Sequence, residues 1–229
     1  MSPTRLTPAP EKMPTSIAEI YELITGECVE IRSKLNLFNE LFRKSQERMD
    51  FLASHAGYFF AYLRSTILQD LVLAFSRITD PASMGSRGKY QNVSLDQLHK
   101  RARQAGGLDE DSERELGKLL TEIDEVQSRL ISPIRDKFVA HYDCGYVLGY
   151  EAKEVPNVTP DDLLKQLERV EAFTHALRRF YDLSTISFSG APYDHDVVAL
   201  VHCLSKVNAY EELEKAGHIP RHTFWNYEI

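Results

Sequence analysis

The chain has 229 residues, 43% of them apolar and 27% charged, and carries a formal net charge of −7. That is enough apolar material for a sizeable buried core. No stretch reaches the roughly 18 continuous apolar residues of a membrane span, and even Leu63 to Ile78 is interrupted by Arg64, Gln69, Asp70 and Arg77. The acidic balance argues against a basic coat for indiscriminate nucleic-acid binding.

Met1 to Pro14 holds Pro3, Pro8, Pro10 and Pro14 and no apolar run, so residues 1–14 read as a disordered lead-in and as neither a secretory signal nor an anchor. Helical spacing then recurs almost throughout, and period-two alternation does not, which predicts an all-α bundle. Thr15 or Ser16 is expected to cap a first helix whose Ile17, Ile20, Tyr21, Ile24, Cys28, Ile31, Leu35, Phe38 and Leu41 form an apolar stripe. A second long helix is expected from about Met49 to Ile78, with Tyr58, Phe59, Tyr62, Ile67, Leu71 and Phe75 on a wide apolar surface and Asp80-Pro81 ending it. These two should form an antiparallel hairpin.

Asp80 to Val93 turns to Gly, Ser, Pro and Lys, which reads as an exposed loop. Ser94 and Gln97 have capping-box spacing for a short helix that Gly106-Gly107 closes. Asp109 to Gln127 carries eight acids against Arg114 and Lys118, leaving about −1 for the rest of the chain and room for a basic groove elsewhere. Its acids suit the first turn of a helix reaching about Leu130. Pro133 is expected in the first turn of a new helix carrying Arg135 to Asp143. Thr159-Pro160-Asp161-Asp162 reads as N-cap, proline and acidic first turn of a helix to about Leu183, and Asp194 or Asp196 opens another to about Leu213.

Cys28, Cys144 and Cys203 are odd in number and far apart, which fits neither a disulfide framework nor a zinc site. His195 and His202, near Asp194 and Asp196, lack a third well-spaced ligand. No metal and no cofactor is expected. Tyr58, Phe59, Phe60 and Tyr62 have spacing suited to a core or a dimer interface, with base stacking as the other use. Arg178-Arg179, Lys165 and Arg169 read as a solvated helix face, Arg178-Arg179 also as an RNA-lining pair.

The most informative stretch is Ile134-Arg135-Asp136-Lys137-Phe138-Val139-Ala140-His141-Tyr142-Asp143. It combines an arginine, which grips phosphate, with a histidine, which titrates near neutrality. Arg135 followed by a polar Asp136, with five residues before His141, resembles the R-x(4-6)-H signature of the HEPN superfamily. The long helix ending Leu73-Ala74-Phe75-Ser76-Arg77-Ile78-Thr79-Asp80, then Asn92-Val93-Ser94-Leu95-Asp96-Gln97-Leu98, then the motif helix, resembles its abortive-infection, AbiU-like group. The likeness covers about Ile17 to Leu183.

The resemblance implies an all-α, HEPN-like helical bundle of about six or seven helices, generally a homodimer whose motif helices face each other across a cleft. It also implies a metal-independent, cytoplasmic endoribonuclease of abortive infection or a toxin-antitoxin system, with RNA as substrate and an antitoxin or nucleotidyltransferase as candidate partner. His141 would move the proton of the 2′-hydroxyl or the leaving oxygen. Arg135 would hold the phosphate, Asp136 would orient either group, Asp143 is a weaker helper of the same kind, and Lys137 is a weaker phosphate contact. Six helical residues sweep about 600° and rise about 9 Å, so Arg135 and His141 do not share one face of a straight helix; a two-chain site or a distorted helix would bring them together. The expected partition is residues 1–14, a single domain over 15–213 and a C-terminal tail over 214–229. A non-catalytic HEPN module binding RNA, a nucleotide or a protein is the alternative, and a helical scaffold with a coincidental motif is the third reading.

Overall fold

The computed structural model describes residues 12–84, 90–106, 108–139, 157–188 and 193–220. They form an all-α, HEPN-like bundle in which the only strands among the described residues are two short ones.

Helix α1 (Thr15–Phe42) is the central element, packed against four other helices. Its nine-residue apolar stripe from Ile17 to Leu41 is buried throughout, as a three-and-four spacing demands when one helix is surrounded on most sides. The cap differs from expectation. Thr15 already lies inside the helix, and the N-cap position is Pro14, without a side-chain cap. Its ring presets φ at −52°, and its carbonyl accepts from the Ile17 and Ala18 amides at 2.8 and 2.9 Å. Met13 is buried against the same core.

Helix α2 (Gln46–Thr79) starts earlier than expected because Ser45 accepts from the Arg48 amide. It runs antiparallel to α1, since ion pairs join Glu27 to Arg77 and Lys34 to Asp70 in opposite chain order. The helix is broken at Ala56 (φ −155°, ψ 61°). There the Ser54 hydroxyl and the His55 ring both engage the Phe51 carbonyl, at 2.8 and 2.7 Å, replacing helical acceptor geometry just before Gly57. Ile67, Leu71 and Phe75 are buried as expected, but Tyr58, Phe59 and Tyr62 are 97%, 57% and 72% exposed. The break turns this end of the apolar surface outward, and only Phe60 of the aromatic cluster enters the core.

The expected loop after Asp80 contains antiparallel strands β1 (Ser83–Met84) and β2 (Tyr90–Gln91), with Ser83 opposite Gln91. Two residues are too few to leave an alternation signal. Helix α3 (Leu95–Ala105) is capped by the Ser94 hydroxyl and ends at Gly106, whose φ of +74° suits glycine.

Helix α4 (Glu110–Val126) begins at Asp109, whose carboxylate accepts from the Ser112 amide at 2.7 Å. Pro133 falls in the first turn of a new α segment as expected, but no break precedes it and the segment is short. Residues Gln127–Ile131 wind as π-helix, α5 (Ser132–Ile134) follows, and Arg135–Val139 wind as π-helix again. The junction residues Val126, Gln127, Ile131, Ser132 and Arg135 all keep right-handed helical dihedrals. A proline inside a helix lacks the amide donor and crowds the carbonyl four residues back. The Ser132 amide instead donates to the Gln127 carbonyl five residues back, which widens the turn immediately before Pro133.

Helix α6 (Pro160–Phe180) has the full reciprocal capping box of Thr159 and Asp162. It stops at Phe180, short of Leu183, because Asp182 takes a left-handed φ of 49° and the Leu183 amide closes back to the Arg178 carbonyl. A bidentate Arg32–Glu171 pair ties it to α1, and buried Gln166 donates to the Ile123 carbonyl of α4 at 3.0 Å. Helix α7 (Tyr193–Lys215) packs on α1 and buries Val197 while leaving Val198 and Val207 exposed. No helix is long and apolar enough to cross a membrane among the described residues.

The candidate site around Arg135

Arg135 opens the second π-wound stretch, and its side chain is 28% exposed. Its Nε donates to Asp136 Oδ1 at 2.7 Å and its Nη1 to Asp80 Oδ1 at 3.1 Å. Asp80 is the residue that ends α2, so the guanidinium stitches the end of one helix to the start of a helical distortion in another. The scaffold beneath is polar: the buried Gln127 amide donates to Ser76 of α2 and to Ser132, both at 3.4 Å.

The electrostatics follow from partial burial. Burial pushes the Asp80 carboxyl above the usual aspartate value; the Arg135 charge and hydrogen bond offset part of this, and Asp136 adds a further upward push. The bond to Asp136 raises the Arg135 value against the opposing effect of burial, with Asp80 adding to it, so the guanidinium stays charged. Asp80 and Asp136 use two of its five donors. What remains is a fixed, partly solvated cation with donor capacity suited to phosphate.

Of the residues singled out from the sequence, Arg135 and Asp136 come together in this way. His141 and Asp143 lie in residues 140–156, outside the described residues. In the sequence Asp80 carries only a helix-terminating signal, confined to Ser76-Arg77-Ile78-Thr79-Asp80, and nothing local ties it to a residue 55 positions away. Arg178 does not line an RNA path. It is buried, donating to the Ser184 carbonyl and to the Tyr21 hydroxyl, while Arg179 pairs with Glu115. His195 and His202 are exposed on α7, and among the described residues no three His, Cys, Asp or Glu side chains gather as metal ligands.

The all-α bundle is consistent with a HEPN-like fold. Residues 15–200, from the start of α1 into α7, match the family model HEPN_AbiU2, AbiU2. The chain belongs to this AbiU2 family of abortive-infection HEPN domains. No curated protein and no solved structure matches it.

Proposed function

We propose that the protein is a metal-independent endoribonuclease that cleaves RNA by attack of the 2′-hydroxyl on the adjacent phosphate, in phage defence or as a toxin. The observation that carries the reading is the Arg135 cluster: a guanidinium held in place by carboxylates from two elements, partly open to solvent, six positions before His141. Arg135 would bind the scissile phosphate and stabilise the added charge of the pentacoordinate transition state. His141 would take or give the proton, a role suited to imidazole, whose unperturbed value is about 6.5. The oxygen that attacks is the substrate's own, so the products would be a 2′,3′-cyclic phosphate and a 5′-hydroxyl, with no metal in the balance.

Arg135–Val139 winds as π-helix, and single-turn π segments within helices recur at functional sites. A second copy would bring two such motifs to one cleft in a homodimer, the expected assembly, with an antitoxin covering it at rest.

The test is labelled RNA incubated with the protein in EDTA and analysed for its ends. Cyclic-phosphate products that vanish in Arg135→Ala and in His141→Ala, both still folded and dimeric, support the reading. Undiminished cleavage by the double variant refutes it. One observation favours a non-catalytic binding module instead: the two carboxylates already on Arg135 compete with phosphate. That reading predicts RNA binding without cyclic-phosphate ends in the same experiment.

A further inference from the structure

Three residues after Asp80, the partner of Arg135, the chain enters β1. The segment is tied down as a strap. The Ala82 amide donates to Asp96 of α3 at 2.8 Å, the Asn92 amide to the Ala82 carbonyl at 3.0 Å, and the Asn92 side chain to the Pro81 carbonyl at 2.8 Å. Beside the strap lies a cavity of about 690 Å³ lined by Ser83, Gln91, Gln97, Lys100, Arg101 and Gln104, with the start of α1 as a further wall.

Its charge is of one sign. The other two cavities described mix acids with bases, Glu122 and Glu125 with Arg129 and Arg169 in one, Glu115 and Glu122 with Lys118 and Arg179 in the other. Here the lining carries two cations, neutral amides and hydroxyls, and no carboxylate among the described residues. Most basic residues of the bundle are neutralised by acids, as Arg32, Lys34, Arg77 and Arg179 are. Among the described residues Lys100 enters no ion pair, and Arg101 spends one donor on the Ser16 backbone carbonyl at 3.0 Å, which leaves its charge uncompensated. The one acid on this stretch of α3, Asp96, is engaged by the strap. In a chain of net charge −7, a recess with two uncompensated cations and several amide side chains is complementary to a phosphodiester with polar bases or sugars beside it.

We propose that this cavity holds the backbone of the RNA strand that is cleaved at Arg135, with Lys100 and Arg101 each contacting a phosphate outside the scissile one. The inference rests on the ribonuclease reading for the identity of the strand. Ser83 is three residues from Asp80 and so no more than about 11 Å from it along an extended chain, which places that wall of the cavity near the Arg135 cluster.

The test uses the full chain and a 12-nucleotide 2′-O-methyl RNA, which lacks the attacking hydroxyl and is bound without being cut. Affinity is measured by fluorescence anisotropy across a salt series. Each phosphate contact on a single strand contributes about 0.7 to the slope of log affinity against log salt. Lys100→Ala is expected to lower that slope by about 0.7, which integrates to roughly fivefold weaker binding at 0.1 M salt relative to 1 M. Arg101→Gln is expected to do the same, and Arg101→Lys to restore most of the slope. Unchanged slopes and affinities in both Lys100→Ala and Arg101→Gln, or no binding by the unsubstituted chain, overturn the proposal. Lys100-dependent binding in a protein that cuts no natural RNA leaves the cavity assignment standing and removes the ribonuclease reading alone.

Discussion

Arg135 Nη1 sits 3.1 Å from Asp80 Oδ1, joining the end of α2 to the π-wound stretch that follows α5. Because the same guanidinium also donates through Nε to Asp136, its plane is fixed from two sides. Preorganised donors stabilise a developing anion without reorganisation at the moment of reaction. In the proposed ribonuclease the carboxylates would position Arg135, and each would also compete with phosphate for it.

This dual role makes Asp80→Asn informative. Asparagine keeps an acceptor oxygen but not the charge, so kcat for RNA cleavage is expected to fall, by up to about 10²-fold if the guanidinium shifts by an ångström. KM should stay level or drop, because phosphate no longer competes with a carboxylate. An unchanged kcat would remove Asp80 from the site. Stability should respond to pH with a definite sign. Asp80 is raised above 3.8 in the folded protein, so its ionisation weakens the native state as pH rises from about 4 through the raised value. Asp80→Asn lacks that loss, and its Tm relative to the parent should improve between about pH 4 and pH 7.

The α6 cap offers a test of the opposite sign. Asp162 is held below the usual aspartate value by the Thr159 hydroxyl and then by its backbone amide. Thr159→Ala should cost about 1 kcal/mol at neutral pH. A depressed carboxylate contributes above its unfolded value and loses that contribution as pH falls through its native value. The deficit of Thr159→Ala should therefore shrink below about pH 4, as read from urea midpoints at a series of pH values. A deficit that does not vary with pH would show that the Asp162 half of the cap carries no energy.

Cysteine reactivity separates the core from the surface. Cys28 is fully buried in α1, and burial, with Glu171 and Glu27 adding to it, pushes its thiol far above the ordinary range. Cys203 is exposed on α7. Iodoacetamide at pH 8 should alkylate Cys203 in the native protein and reach Cys28 only on unfolding, as peptide mass mapping would show. Alkylation of Cys28 at the rate of Cys203 would mean that α1 is not enclosed as described.

Much of the bundle was legible because its signals are local. The α1 stripe from Ile17 to Leu41 and the Thr159-Pro160-Asp161-Asp162 opening of α6 are written in adjacent residues, and a period or a cap needs no knowledge of what packs against it. What escaped depends on contacts distant in sequence or on strands too short to show a pattern. Nothing near Arg178 says that it will be buried against Tyr21, nor does anything near Tyr58 say that a break at Ala56 will turn it outward. The Arg-Asp half of the site followed from the motif, whereas Asp80 needed the packing of α2 to become visible.

Pro133 tests whether the helical distortion serves the site. An ordinary reading of proline ends one helix and starts another, yet here the chain stays helical on both sides, with a five-residue closure from Ser132 to Gln127 just upstream. In Pro133→Ala the ring is gone and a backbone donor is restored, so the carbonyl of Arg129 can be reached in an ordinary α turn. The helix should gain stability, since proline inside a helix costs about 3 kcal/mol relative to alanine and the widened turn recovers only part of that. Rewinding toward α geometry would also rotate Arg135 relative to Asp80. The variant is therefore expected to be more thermostable and less active, with kcat reduced and the fold, by circular dichroism, retained. Full activity in a stabilised Pro133→Ala would show that the π winding is a consequence of housing the proline and has no part in placing Arg135.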